Sequence, residues 1–129
     1  MAKKANATLR SAWAQALIDT LGASHLIKFY NGTQPADTST AHTGTLLATL
    51  TADATPGTVA TGVLTFDAAN YTQSNASHVN GTPTYISLQT SAGTRVYEFG
   101  TADGFTFTGT IATGVDVARG AWTWTAPGA

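Results

Sequence analysis

Three histidines, seven carboxylates and three tryptophans are the side chains in this 129-residue sequence with chemistry to offer. His25, His42 and His78 stand in separate segments, without the i, i+2 or i, i+4 spacing that brings two imidazoles to one ion, and there is no cysteine. A zinc site would need a tertiary coincidence, and disulfides, thiolate ligands and a Cys nucleophile are ruled out. Asp19, Asp37, Asp53, Asp67, Asp103 and Asp116 stand nearly all beside Gly, Ala or Thr, where turn formation accounts for an aspartate. Glu98 alone lies in a strongly predicted strand. A glycosidase needs two carboxylates roughly 5 to 9 Å apart, and the sequence does not set such a distance. Ser, His and Asp are all present, but no Gly-x-Ser-x-Gly elbow and no Gly-x-x-x-x-Gly-Lys phosphate loop occurs. The expectation is a protein without enzymatic activity, cofactor or metal. Trp122 and Trp124 share one face of a predicted strand, either as a platform for stacking glycans or as core filling. The second is favoured, because two exposed tryptophans make a costly surface patch.

The elements that carry these residues are mostly strands. Between Thr82 and Pro127 four period-2 runs follow one another: Tyr85–Gln89, Arg95–Phe99, Phe105–Thr108 and Ala121–Thr125, each bounded by Gly, Ser, Asp or Pro. Alternation of this kind sets one side-chain row on a buried face and the other in water. Turns are expected at Ser91-Ala92-Gly93 and Ala102-Asp103-Gly104, and a short edge strand at Val115-Asp116-Val117. Upstream, His25–Tyr30, Gly44–Thr51 (with Leu46, Ala48 and Leu50 on one face) and Val59–Phe66 read as three further strands, with a turn at Pro56-Gly57. Two long polar stretches interrupt them. Residues 33–44 form a loop of about 12 residues, a length often used for binding. Residues 67–81 form either an exposed excursion or an irregular edge strand around Tyr71.

Only the N-terminal part has a helical period. Leu9, Trp13, Leu17 and Leu21 recur every four residues, with Ala12, Ala16 and Ile18 beside them, which predicts an amphipathic helix over 6–21. Asn6 or Thr8 supplies the N-cap oxygen, and Gly22 takes the left-handed position after the last turn. The stripe either seals an open side of the sheet or docks on a neighbouring subunit; sealing is favoured by the two-layer rule. The chain thus predicts a mainly β fold, an antiparallel β-sandwich of jelly-roll type with one N-terminal amphipathic helix. Residues 1–5 are a mobile arm and 6–129 a single domain.

Composition narrows the partners. Charged residues make up 10% of the chain, Lys and Arg number 6, and the net charge is −1. A broad phosphate-binding face is therefore not expected, and nucleic acid is excluded as a partner. Surface polarity must come from Thr, Ser, Asn and Gln, which suits a β protein that works packed against other protein. No signal peptide or membrane-spanning segment is visible.

Two segments in combination, Tyr30-Asn31-Gly32-Thr33-Gln34-Pro35-Ala36 and Thr43-Gly44-Thr45-Leu46-Leu47-Ala48-Thr49-Leu50, follow a helical start. With Tyr85, the Ser91-Ala92-Gly93-Thr94 hairpin, Val96–Gly100 and the closing Trp124-Thr125-Ala126-Pro127, the layout over residues 8 to 127 resembles small virion structural proteins of tailed bacteriophages and prophages; residues 67–81 match it least. The resemblance carries no catalytic residue. It implies a head decoration or capsid-stabilising protein, assembled in the host bacterial cytoplasm, located in the virion, homo-oligomeric, and packed against the major capsid or another virion protein. A tail, neck or baseplate accessory protein is the nearest alternative. From other classes, a carbohydrate-binding β-sandwich using Trp122 and Trp124 comes next, and a hydrolase using Glu98 and an aspartate last. Candidate partner contacts are Lys3 and Lys4 on the arm, Trp13 on the helix, Pro35 and Asp37 in the first long loop, and Tyr71 and His78 in the second.

Overall fold

The computed structural model describes residues 3–53, 57–66, 71–100, 109–117 and 122–125, with the backbone alone at 57, 66 and 122–125. Helix α1 spans Ala7–Leu21 and begins where the Asn6 carboxamide oxygen accepts the Leu9 N–H at 2.8 Å. It ends at Gly22, whose positive φ of 73° lets its N–H return to the Ile18 carbonyl at 3.1 Å. Asparagine at the N-cap satisfies one of the orphan amides of the first turn. Lys3 and Lys4, ahead of the cap, are exposed and non-helical.

Five strands, β1 (Leu26–Tyr30), β2 (Leu46–Ala52), β5 (Tyr71–Gln73), β6 (Tyr85–Gln89) and β7 (Arg95–Gly100), form an antiparallel sheet in the order β5-β2-β1-β6-β7. The second sheet is antiparallel with the order β3-β4-β8, from β3 (Gly57–Ala60), β4 (Val63–Phe66) and β8 (Trp122–Thr125). One core joins them. Ile27, Phe29, Leu50, Ile86 and Leu88 of the large sheet meet Leu64 of the small one and Ala14, Leu17, Ile18 and Leu21 of α1. The fold is thus mainly β and antiparallel, in a sandwich-like arrangement with one N-terminal helix.

Several expectations are corrected. Val59–Phe66 is not one strand: Thr61 and Gly62 both take positive φ, 52° and 78°, and turn the chain between β3 and β4. Paired positive φ values match the twist of a two-residue hairpin. The turn holds a β-branched residue where one is rare because α1 clamps it. Ser11 Oγ accepts the Gly62 N–H at 2.8 Å, and a Cβ on Gly62 would lie 2.7 Å from that of Arg10. Thr61→Asn relieves the β-branch without touching the clamp and is expected to raise stability by about 1 kcal/mol, read as a higher melting temperature.

Leu46 leaves the row expected for it. Tyr30 pairs with Leu46 but Phe29 with Ala48, so Leu47 is an extra residue that shifts the alternation. Leu46 is 37% exposed while Leu47, Ala48, Leu50 and Ala52 are buried. The Leu47 carbonyl accepts the Val79 N–H instead, at 2.9 Å. Tyr71 does sit in an edge strand, as one of the two alternatives had it. Val115–Val117 forms no strand, because the Val117 N–H goes to the side-chain oxygen of Gln73 at 2.8 Å rather than to a ladder. The strand expected at 105–108 and the turns at 56–57 and 102–104 fall wholly or partly outside the described residues.

Candidate functional site

Register places the polar side of the large sheet. Tyr30 stands opposite Tyr85, Lys28 opposite Ser87, and Ser87 opposite Glu98, so these residues share the face turned away from Ile27, Phe29, Ile86 and Leu88. The first long loop folds over one end of this face and brings His42 onto it. The His42 ring lies 4.1 Å from that of Tyr30, which stacks on Tyr85 at 5.3 Å and 5°. His42 Nε2 bonds to one Glu98 carboxylate oxygen and Arg95 Nη2 to the other. Arg95 also donates to the Thr40 carbonyl and, at 3.3 Å, to that of Asp37, while Gln34 Nε2 donates to the Glu98 carbonyl at 3.2 Å.

Electrostatics make this knot a fastening. The Glu98 side chain is only 4% exposed. Burial alone would raise its pKa, but hydrogen bonds from Arg95, His42 and Ser87 and the nearby His42 charge together bring it below the usual carboxylate value. With both oxygens hydrogen-bonded to its own chain and its pKa held down, the Glu98 carboxylate stays ionised and serves to hold the loop. The Tyr85 hydroxyl, buried with no partner among the described residues, is pushed up to about 12 by burial and the Glu98 charge, so it stays neutral. Asp37 is another fastening: its Oδ1 accepts from the N–H and hydroxyl of both Ser39 and Thr40, and these bonds draw its pKa down to about 2.

The second long stretch is fastened to residues 111–117. Gly81 and Ile111 exchange both backbone bonds, at 3.0 and 2.7 Å, and His78 Nδ1 donates to the Val115 carbonyl at 3.0 Å. Tyr71 and His78 are therefore corrected as exposed partner contacts: they are 2% and 3% exposed. Tyr71 donates its hydroxyl to Nε2 of His25 at 2.8 Å, since His25 Nδ1 must donate to the Gly22 carbonyl at 3.1 Å. His25 is fully buried, and desolvation outweighs the Gly22 hydrogen bond to lower its pKa from 6.5. The unfolded chain therefore takes up a proton near pH 6.5 that the folded ring refuses. This contribution to stability is present above 6.5 and declines as pH falls below it. Urea unfolding at pH 7.5 and 5.5 is expected to show that decline. His25→Gln, which keeps a donor and an acceptor, is expected to reduce it.

The other expected contacts are spread over the surface. Lys3, Lys4 and Asp37 are exposed and Pro35 is half-buried. Trp122 and Trp124 stand opposite Phe66 and Leu64 in the β8–β4 register, and their side chains lie outside the described residues. Trp13 is 42% exposed and Leu9 44%, with Ala12 and Ala16 exposed between and beyond them. The predicted stripe is split: Leu17 and Leu21 turn inward with Ala14 and Ile18, while Leu9, Ala12, Trp13 and Ala16 form an i, i+3, i+4, i+7 apolar row on the opposite side. Trp13→Ala is accordingly expected to cost about 1 to 2 kcal/mol by thermal melting, less than the roughly 3 to 5 of a buried tryptophan.

A hollow of about 530 Å³ lies between β2 and the segment after β5, walled by Leu46, Leu47, Thr49, Thr72, Gln73 and Ser77 among others, with no carboxylate, Lys or Arg among the described residues of its lining. The acid–base knot at Glu98 is not part of it. Among the described residues no group of three or more His, Asp or Glu side chains converges as a metal site, and no helix is long and apolar enough to cross a membrane. No protein-family model, curated protein or solved structure matches the chain.

Proposed function

We propose that this chain is a structural subunit of a tailed-bacteriophage particle, acting by packing against other virion protein, as a capsid decoration or stabilising protein. The resemblance of the Tyr30–Ala36 and Thr43–Leu50 segments supplies the kind of particle. The observation that supports assembly is the second apolar row of α1. A helix on the surface of an isolated domain turns polar residues outward, and one that is apolar on opposite sides has both sides covered. Here Ala14, Leu17, Ile18 and Leu21 cover the sandwich and Leu9, Ala12, Trp13 and Ala16 remain for a neighbour. Glu98, Arg95 and His42 over the large sheet are spent on internal fastening, which suits a rigid brick better than a reactive surface.

The test is Trp13→Glu. The variant is expected to fold, losing no more than the roughly 1 to 2 kcal/mol expected for Trp13→Ala, and to be missing from purified particles that incorporate the parent chain. Normal incorporation of a folded variant would contradict the proposal.

A further inference from the structure

We infer that the outer row of α1 is a homodimer surface, on which two copies of this chain pack their helices antiparallel about a two-fold axis passing between Ala12 and Trp13. The inference rests on reading α1 as an assembly surface and names the partner. It comes from the order of large and small residues. The outer row reads Leu9, Ala12, Trp13, Ala16, and under a two-fold axis at its centre Leu9 meets the partner's Ala16 and Trp13 meets the partner's Ala12. Each large side chain thus faces a small one, twice over, which is what a self-complementary contact requires. A parallel pairing in register sets tryptophan against tryptophan and alanine against alanine, leaving gaps beside clashes. Small residues at two of the four positions also let the helices approach to the short end of the roughly 8 to 10 Å range.

Charge agrees with the same arrangement. Helix α1 carries no acid in its first turn and no base in its last. Asp19 is its single acidic residue. Antiparallel packing about the same axis brings Asp19 to the partner's Asn6, at the positive helix end and just after Lys3 and Lys4. The two dipoles then lie antiparallel, each end beside the opposite end of its partner's. Four row residues a side are far fewer than the roughly 20 to 30 of a standard interface, so the isolated dimer is weak and concentration-dependent, and is completed by its surroundings in a particle.

The chain lacks cysteine, which makes single-thiol variants a direct reading of this geometry. Near the axis, Ala12→Cys places the two thiols about one residue apart along the helices, and mild oxidation is expected to give a disulfide-linked dimer. Ala16→Cys places them seven residues, about 10 Å, apart, beyond disulfide reach, and is expected to stay monomeric. A mixture of Leu9→Cys and Ala16→Cys chains is expected to give the mixed dimer. Sedimentation of the parent should show its mean mass rising from 13.2 kDa toward twice that with concentration, and Trp13→Glu, folded by circular dichroism, should abolish the rise. A parent that stays monomeric at millimolar concentration with no Ala12→Cys disulfide overturns the inference, and so does self-linking of Ala16→Cys as fast as Ala12→Cys. The two readings fail separately. A monomeric parent whose Trp13→Glu variant is still excluded from particles removes the dimer and keeps the assembly role. A dimer whose Trp13→Glu variant enters particles normally does the reverse.

Discussion

Replacing Glu98 by alanine is expected to lower the unfolding free energy by about 3 kcal/mol, because it removes one member of a nearly buried ionic knot and strands the others. The side chains of Arg95 and His42 are 15% and 14% exposed, too little for water to take over the bonds that Glu98 makes to them. The loss is not confined to one pair. His42, Thr40 and Asp37 all belong to the loop that lies on Tyr30 and Tyr85, and each is tied down through Glu98 or through the Arg95 that Glu98 holds. Amide exchange in residues 36–43 should therefore accelerate in the variant while the β1–β6 ladder stays protected. The sign with pH follows from the depressed carboxylate. Its contribution is complete above the unfolded value of 4.5 and is lost as pH falls through the lower folded value. Urea unfolding at pH 7, and then from pH 5 to 3, measures both effects. A cost below about 1 kcal/mol at pH 7 would mean that the aromatic stack and the loop's other hydrogen bonds hold it without the Glu98 carboxylate.

Gly44→Ala is expected to be at least as damaging, at about 3 kcal/mol or more. A Cβ at this position would fall 1.7 Å from the Asn31 carbonyl oxygen and 2.8 Å from its carbon. Both atoms are backbone, so no rotamer change relieves the overlap. Asn31 is also the residue that closes the loop: its N–H bonds to the Thr45 carbonyl at 3.1 Å and its side-chain oxygen accepts the Thr45 N–H at 2.7 Å. Opening that closure frees both ends of the loop over Tyr30 and Tyr85. Ala36→Gly in the same loop, at an exposed position, serves as the control with little expected effect. Equal melting temperatures for Gly44→Ala and the parent would show that the close approach of Gly44 to Asn31 is not required.

What could be read from the sequence was local. Asn6 and Gly22 bracket α1 because a cap oxygen and a positive φ are properties of one residue each. The β6–β7 hairpin could be read because Ser91-Ala92-Gly93 interrupts two alternating runs, and it closes as expected with Thr90 bonded to Thr94 at 2.9 Å. Between β3 and β4 the signal failed, since Thr61-Gly62 is a weak turn pair whose positive φ at threonine depends on a helix 51 positions away. The extra residue at Leu47 was hidden for the same reason: alternation shows a strand, while the partner strand decides which residue is skipped. Tyr71 and His78 sit in a polar stretch that reads as solvent-exposed, and each is buried by contacts with distant segments. Glu98 stood out as the carboxylate in a strand, but its partner His42 lies 56 positions away in a loop without apolar period. The helix stripe was found as a pattern, and only the position of the sandwich beneath it divided Leu17 and Leu21 from Leu9 and Trp13.

The central claim, that the chain is a many-copy structural component of a virion, is tested most directly by copy number in purified particles, quantified against the most abundant shell protein by gel densitometry. A number comparable with that of the shell protein is expected. A few to a few dozen copies would contradict the decoration role and move the chain to the neck or tail, and its complete absence from particles would contradict the virion assignment itself.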